Sequence, residues 1–172
     1  MDTLSQAKKD WLVTLKGEGG NCPCCGRFGK IYERPLNQRT VRGLAWFYKA
    51  ELSGKFDNCG GWVYVPSFGP RWMMRTYNHN TLKWWGLLDT KFDSPGFWRI
   101  TRKGVSFVEG LISVPLKVWH YKDTPFGFSE EHTWFKDYDL AVEETKTPFV
   151  VRYGSGLKKV RSVVLDHSKG VK

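Results

Sequence analysis

From the N-terminus, apolar positions first recur at helical intervals. Leu4, Ala7, Trp11, Leu12 and Leu15 fall on one side of a helix over residues 3–16, with Thr3 and Gln6 at capping-box spacing and Gly17 as a stop. The glycine-rich turn GEGGNCPCCG follows, and RFGKIYERPL has the short mixed pattern of a strand or hairpin arm. The clearest helix starts behind Asn37, a capping residue. Its stripe is Val41, Leu44, Ala45, Tyr48 and Leu52, with Arg39, Arg42 and Lys49 off the stripe and Ser53-Gly54 as the end. GGWVYVP is a brief strand that stops at Pro66.

The stretch SFGPRWMMRTYNHNTLKWWG predicts two short helices. Pro70 suits a first helical turn, and Trp72, Met73 and Arg75 carry that helix to about Thr76. Asn78 caps a second helix on which Leu82 and Trp85 share a face, and Gly86 offers a left-handed exit. Two short helices joined by a turn of a few residues make the helix-turn-helix pattern. LLDTKF and GFWRIT flank the turn DSPG and predict a hairpin. Thr101 caps a further helix with Val105, Val108 and Leu111 inward, and VPLKVWHY alternates as a strand whose Pro115 belongs at an edge. Beyond Gly127, HTWFKDYDLAVEET predicts a helix, PFVVRYG and VRSVVLD predict strands, and HSKGVK predicts a mobile tail.

The order helix, strand, helix, helix, hairpin, helix is the winged-helix arrangement. The expected fold is therefore α+β: an N-terminal helix and cysteine knuckle over 1–35, a winged helix-turn-helix domain over 36–127, and a β-containing C-terminal extension over 128–172. In such a domain the second helix of the pair lies in the DNA major groove with its N-terminal residues toward the base edges. Asn78, His79, Asn80, Thr81 and Lys83 stand there. Asn bonds an adenine edge in two places, Thr touches a thymine methyl, and Lys reaches guanine acceptors or phosphate. Arg71 and Arg75 on the preceding helix suit phosphates, and Lys91 and Arg99 on the hairpin suit the adjacent backbone or minor groove. Arg102 and Lys103 are further candidates.

The run LKWWGLLDTKFDSPGFWRITRKGVSFVEG resembles the recognition helix, wing and next helix of MarR-like winged-helix regulators. The resemblance rests on Leu82, Gly86, Leu87-Leu88, Ile100-Thr101 and Lys103-Gly104. Trp84-Trp85 stand where that family commonly carries polar and basic residues. Residues 22–128 also resemble phage and prophage proteins that pair a Cys-Pro-x-Cys-Gly knuckle with this pattern. The phage and prophage likeness implies no activity by itself; joined to the helix-turn-helix reading, it leads us to expect a phage or prophage protein that binds DNA and regulates transcription or replication. MarR-like regulators dimerise through helices that flank the winged helix, and residues 3–16 are an amphipathic candidate for that role.

Charge and composition sharpen the expectation. A formal net charge of +10 favours polyanionic partners, duplex DNA first. The excess is uneven: residues 128–145 are acidic between basic flanks. That block suits folding against the chain's own cations, or self-association into a homodimer. A winged-helix scaffold also serves protein recognition, so the alternative is a phage accessory protein that binds and inhibits a host protein. No apolar run has the length of a membrane span, and MDTLSQAKKDW lacks the apolar core of a signal peptide, so the expected compartment is the cytoplasm.

Cysteines supply the remaining chemistry. Cys22 and Cys25 are spaced to meet one zinc ion, with Cys59 in an Asn-Cys-Gly-Gly turn as a third ligand and Cys24, His79 or His120 as a fourth. The competing view is reduced thiols that only shape a hairpin. No phosphate-cradling loop, nucleophile elbow or H-E-x-x-H run occurs, and the four histidines are scattered, so no enzymatic activity is expected.

Overall fold

The structure, a computed structural model, describes residues 3–151. Helix α1 (Leu4–Lys16) leads into strands β1 (Gly20–Asn21), β2 (Phe28–Gly29) and β3 (Tyr32–Pro35). The long helix α2 (Gln38–Leu52) is followed by β4 (Val63–Tyr64), α3 (Val65–Phe68), α4 (Arg71–Thr76) and a 3-10 helix (Asn78–Trp85). Next come β5 (Leu88–Thr90), β6 (Phe97–Ile100), α5 (Arg102–Val108), β7 (Val114–Pro115), β8 (Lys117–Tyr121), β9 (Thr124–Phe128), β10 (His132–Thr133) and α6 (Asp139–Lys146). The protein is α+β, and none of its described helices is long and apolar enough to cross a membrane.

Two compact units divide the chain. Met1–Leu36 join Pro115–Glu131 in one; Asn37–Val114 join the residues from His132 onward in the other. The N-terminal boundary lies one residue beyond the division at 35/36 read from sequence. Residues 115–127, read there as part of the winged-helix domain, belong instead with the N-terminal unit. The reason is backbone pairing: β8 lies between β3 and β9 in one antiparallel sheet, with Tyr32 opposite His120 and Val118 opposite Phe128. The strands expected at 160–166 and the tail at 167–172 lie outside the described residues. The described part of PFVVRYG, residues 148–151, is not strand, though Phe149 and Val151 are buried.

In the N-terminal unit, α1 begins as its sequence predicts, with Thr3 Oγ1 accepting from the Gln6 N–H at 3.3 Å. The reciprocal half of a capping box is absent, because the Gln6 side chain donates to Asp10 Oδ1 at 2.9 Å instead. Leu15 is buried, and the Trp11 ring meets Tyr121 edge-on at 6.5 Å.

The larger unit is organised around α2. Asn37 caps it by accepting the Thr40 N–H at 3.0 Å. Val41, Leu44 and Ala45 are fully buried, as are Leu82, Leu87, Phe107 and Ala141 on the elements around them. The sheet order is β4-β6-β5, all antiparallel, with Val63 opposite Trp98 and Leu88 opposite Ile100. Thr101 caps α5 by accepting the Gly104 N–H at 2.9 Å, while its own hydroxyl donates to Gly86 O at 2.7 Å. Gly104 has to be glycine: a Cβ there would stand 2.3 Å from the Leu87 carbonyl oxygen.

An ion pair, Lys49 with Glu144, is buried in this core. Lys49, 1% exposed, donates to Glu144 Oε1 at 2.7 Å, to Thr147 Oγ1 at 2.9 Å and to Thr147 O at 3.2 Å. Arg42 Nε donates to the other Glu144 oxygen at 2.8 Å, and its guanidinium lies 4.2 Å from the Trp72 ring centre. Glu144→Gln strands the Lys49 ammonium, so we expect a loss of about 3–5 kcal/mol in urea unfolding. Lys49→Met combined with Glu144→Leu should recover most of that loss, because no buried charge is then left unpaired.

Candidate nucleic-acid interface

The segment Asn78–Trp85 forms a helix, as its sequence predicts, but of the 3-10 type and entered differently. No side chain caps it; Tyr77 turns the chain in the left-handed region at φ 48°, and Gly86 leaves it at φ 68°. Three residues per turn place every third side chain on one line. His79, Leu82 and Trp85 therefore face the core, at 2%, 0% and 2% exposure. Asn80 and Lys83 share the opposite line, half-buried and exposed respectively. Asn78 and Thr81 lie between, both half-buried, while Trp84 on the same line is buried.

This geometry corrects one expected contact. His79 cannot meet a base edge or serve as the fourth ligand of a surface metal site. Its ring stands edge-on to Trp98 at 5.3 Å and 6.0 Å from Phe47, and its buried Nδ1 has no hydrogen-bond partner among the described residues. Burial alone holds its pKa at about 4. Thr81 is also restrained: its hydroxyl donates to Asn78 O at 2.9 Å, although the residue stays half-exposed.

The cations fall into two groups. Arg71, Arg75 and Lys83 are exposed and make no ion pair among the described residues, and the same holds for Arg102 and Lys103. Lys91 and Arg99 are engaged. Both lie over the Trp62 ring, at 5.3 and 4.5 Å, and Arg99 also pairs with Asp89 at 3.2 Å. Two exposed aromatics of the same unit were not picked out from sequence. Phe92, at the hairpin tip, is fully exposed (101%), and Tyr77 is half exposed at 51%. The signal for Phe92 was present: an aromatic beside the turn residues Asp93-Ser94-Pro95-Gly96 has little to pack on.

The cysteines divide between the units. Cys22, Cys24 and Cys25 sit together at the tip of the β1–β2 hairpin, whereas Cys59 lies in the larger unit, in a 3-10 turn ended by Gly60 at φ 63°. Backbone N–H groups of Cys24 and then Cys25 hydrogen-bond to the Cys22 sulfur and hold its pKa below the usual thiol range. Such donors suit a thiolate and hence a soft metal. His120 belongs to the hairpin's unit, where its ring stacks on Tyr32 at 5.9 Å. Among the described residues, no three of His, Cys, Asp and Glu are grouped to hold one metal ion.

No family model matches the chain, and neither a curated protein nor a solved structure does so.

Burial of His79 makes stability depend on pH. Between about pH 6.5 and about 4, the unfolded chain takes a proton that folded His79 refuses, so stability falls as pH falls through that window. The full loss is about 3 kcal/mol. Urea unfolding from pH 7 to pH 4 should show this component in the wild type, and His79→Leu should lack it.

Proposed function

We propose that the larger unit contains a winged helix-turn-helix module, formed by residues 37–108, that binds duplex DNA. Helix α2 is its first helix, β4 its first strand and α3–α4 its second helix; the 3-10 helix is its recognition element and β5–β6 its wing. The observation that carries this is the outward line of the 3-10 helix. Asn80 and Lys83 stand one turn apart, about 6 Å along the axis, a spacing close to two base steps. Exposed Arg71 and Arg75 on α4 supply phosphate contacts beside them. Asn80 suits an adenine edge, and Lys83 suits guanine acceptors or phosphate.

The sequence resemblance supports reading such a module as part of a phage or prophage regulator of transcription or replication, acting in the host cytoplasm. Its work is binding; catalysis has no part in this proposal. One observation favours a second reading, in which the partner is a host protein. Phe92 and Tyr77 present aromatic surface on the same module, and an aromatic anchor in a partner's pocket is a common hot spot.

Fluorescence anisotropy with a labelled random-sequence duplex decides between them. We expect binding at low salt that weakens steeply as salt rises. Arg75→Ala with Lys83→Ala should lower the log–log salt slope by about 1.8, two phosphate contacts' worth, with the circular dichroism unchanged. Failure of the wild type to bind any duplex at low salt overturns the DNA proposal. Capture of a host protein from nuclease-treated lysate, lost in Phe92→Ala, would then support the second reading.

A further inference from the structure

The N-terminal unit holds a cavity of about 520 Å³, lined by Lys16, Ile31, Glu33, Trp119, Phe126 and Gly127, all of that unit. That volume lies in the range of ligand-binding cavities. Its floor is a row across the three-stranded sheet. Glu33 of β3 pairs with Trp119 of β8, and Trp119 pairs with Gly127 of β9, so the three positions share one face. Glycine lets the indole lie against the strand, since a Cβ at 127 would stand 3.3 Å from that ring. Trp119 Nε1 donates to Glu33 Oε2 at 3.4 Å, which holds the edge of the ring. Beside this row the ladder shifts: Trp119 pairs with Gly127 but His120 with Pro125, which leaves Phe126 as an extra residue. A bulge of this kind re-aims a side chain. Phe126, 51% exposed, lines the cavity.

Charge selects among ligands. The Glu33 carboxylate is offset by Lys117 Nζ at 3.0 Å. Lys16, the last residue of α1, is exposed and makes no ion pair among the described residues. Its Nζ lies 6.0 Å from the centre of the Phe126 ring. The Ile31 N–H donates to Leu15 O at 2.8 Å, which fixes this end of the helix beside the cavity. Exposed Lys9 stands about two turns earlier on the same side of α1. Two aromatic rings with a cation beside them suit a planar ring that carries an anionic group. A nucleotide has both. In a duplex the faces of the bases are stacked on one another and only their edges show, so this floor takes an unpaired base.

We propose that the N-terminal unit binds single-stranded nucleic acid, with one unstacked base in this cavity against Trp119 and Phe126 and a phosphate at Lys16. Aromatic platforms beside cations are a general means of holding single strands without reading their sequence. The proposal rests on this unit alone and is independent of what the larger unit binds.

Fluorescence anisotropy of the full chain with labelled oligothymidylate, which does not pair with itself, tests this. We expect binding at low salt that an excess of unlabelled duplex does not displace, an arm that needs no substitution. Phe126→Ala should weaken it roughly 5- to 150-fold, the loss of one stacked base, and Phe126→Tyr should restore it. Lys16→Ala should lower the log–log salt slope by about 0.7, one phosphate of a single strand. Arg75→Ala with Lys83→Ala should leave single-strand affinity unchanged, and Phe126→Ala should leave any duplex affinity unchanged. No binding of oligothymidylate at low salt, its displacement by duplex, or an unchanged affinity in Phe126→Ala would each overturn the proposal. So would thymidine monophosphate competing as well as the strand, nucleotide for nucleotide, since the cavity would then take a free nucleotide.

Discussion

Lys49 sets a constraint that much of the larger unit obeys. An ammonium taken out of water costs several kcal/mol unless each of its three donors finds an acceptor. Here all three do, and all the acceptors belong to one short stretch at the end of α6: Glu144 and both oxygens of Thr147. The helix cannot drift without exposing or stranding a charge. Glu144 passes the constraint on through its second oxygen to Arg42, whose guanidinium lies over Trp72 of α4. Segments far apart in sequence are thereby fixed to α2. Part of the acidic block is committed inward as well, so Glu144 does not offset the exposed cations of α4 and the 3-10 helix.

The 3-10 geometry then decides what the outward surface offers. A helix of 3.6 residues per turn spreads its contacts around the cylinder, whereas three per turn stacks them in lines. Over eight residues that gives one sealed line, His79-Leu82-Trp85, and one open line, Asn80-Lys83. The price is a histidine with an unpaired ring nitrogen in an aromatic enclosure. The sealed line is apolar enough to hold a short element that has no capping side chain, and it limits the open line to two residues.

Local chemistry of a familiar kind was legible in the sequence. Asn37 and Thr101 act as caps, Gly86 as exit, and the Leu82–Trp85 face packs inward. Each follows from a side chain acting on its own backbone within a few residues. The burial of His79 was not legible, because the polar residues 78–81 read as the outward, base-facing start of a helix until the helix type is known. Nor was the role of Lys49: it stands off the apolar stripe, and only a carboxylate nearly a hundred residues later turns it inward. The placement of residues 115–131 was hidden for the same reason, since strand pairing across more than eighty residues leaves no local mark. In the cysteine hairpin the turn is written locally.

The β5–β6 hairpin bears directly on the proposed recognition of DNA. On a surface meant only for phosphate, hairpin cations would stand free. Lys91 and Arg99 instead lie on Trp62, and Arg99 is held further by Asp89. Drawing either toward a phosphate would sacrifice a cation–π contact worth roughly 0.5–2 kcal/mol, and for Arg99 an ion pair too. The hairpin therefore presents Phe92, beside exposed Asp93, rather than free cations at its tip, while α4 and the 3-10 helix present cations on either side of Tyr77. A partner that satisfies both zones must be anionic opposite Arg75 and Lys83 and must also accept an aromatic ring. A duplex meets the first condition along its whole length, and meets the second where a flexible pyrimidine–purine step lets an apolar side chain enter the minor groove. A host protein would need an acidic patch beside an apolar pocket. The duplex asks for less coincidence, which is why the exposed cations, and not the aromatic tip, carry the proposal.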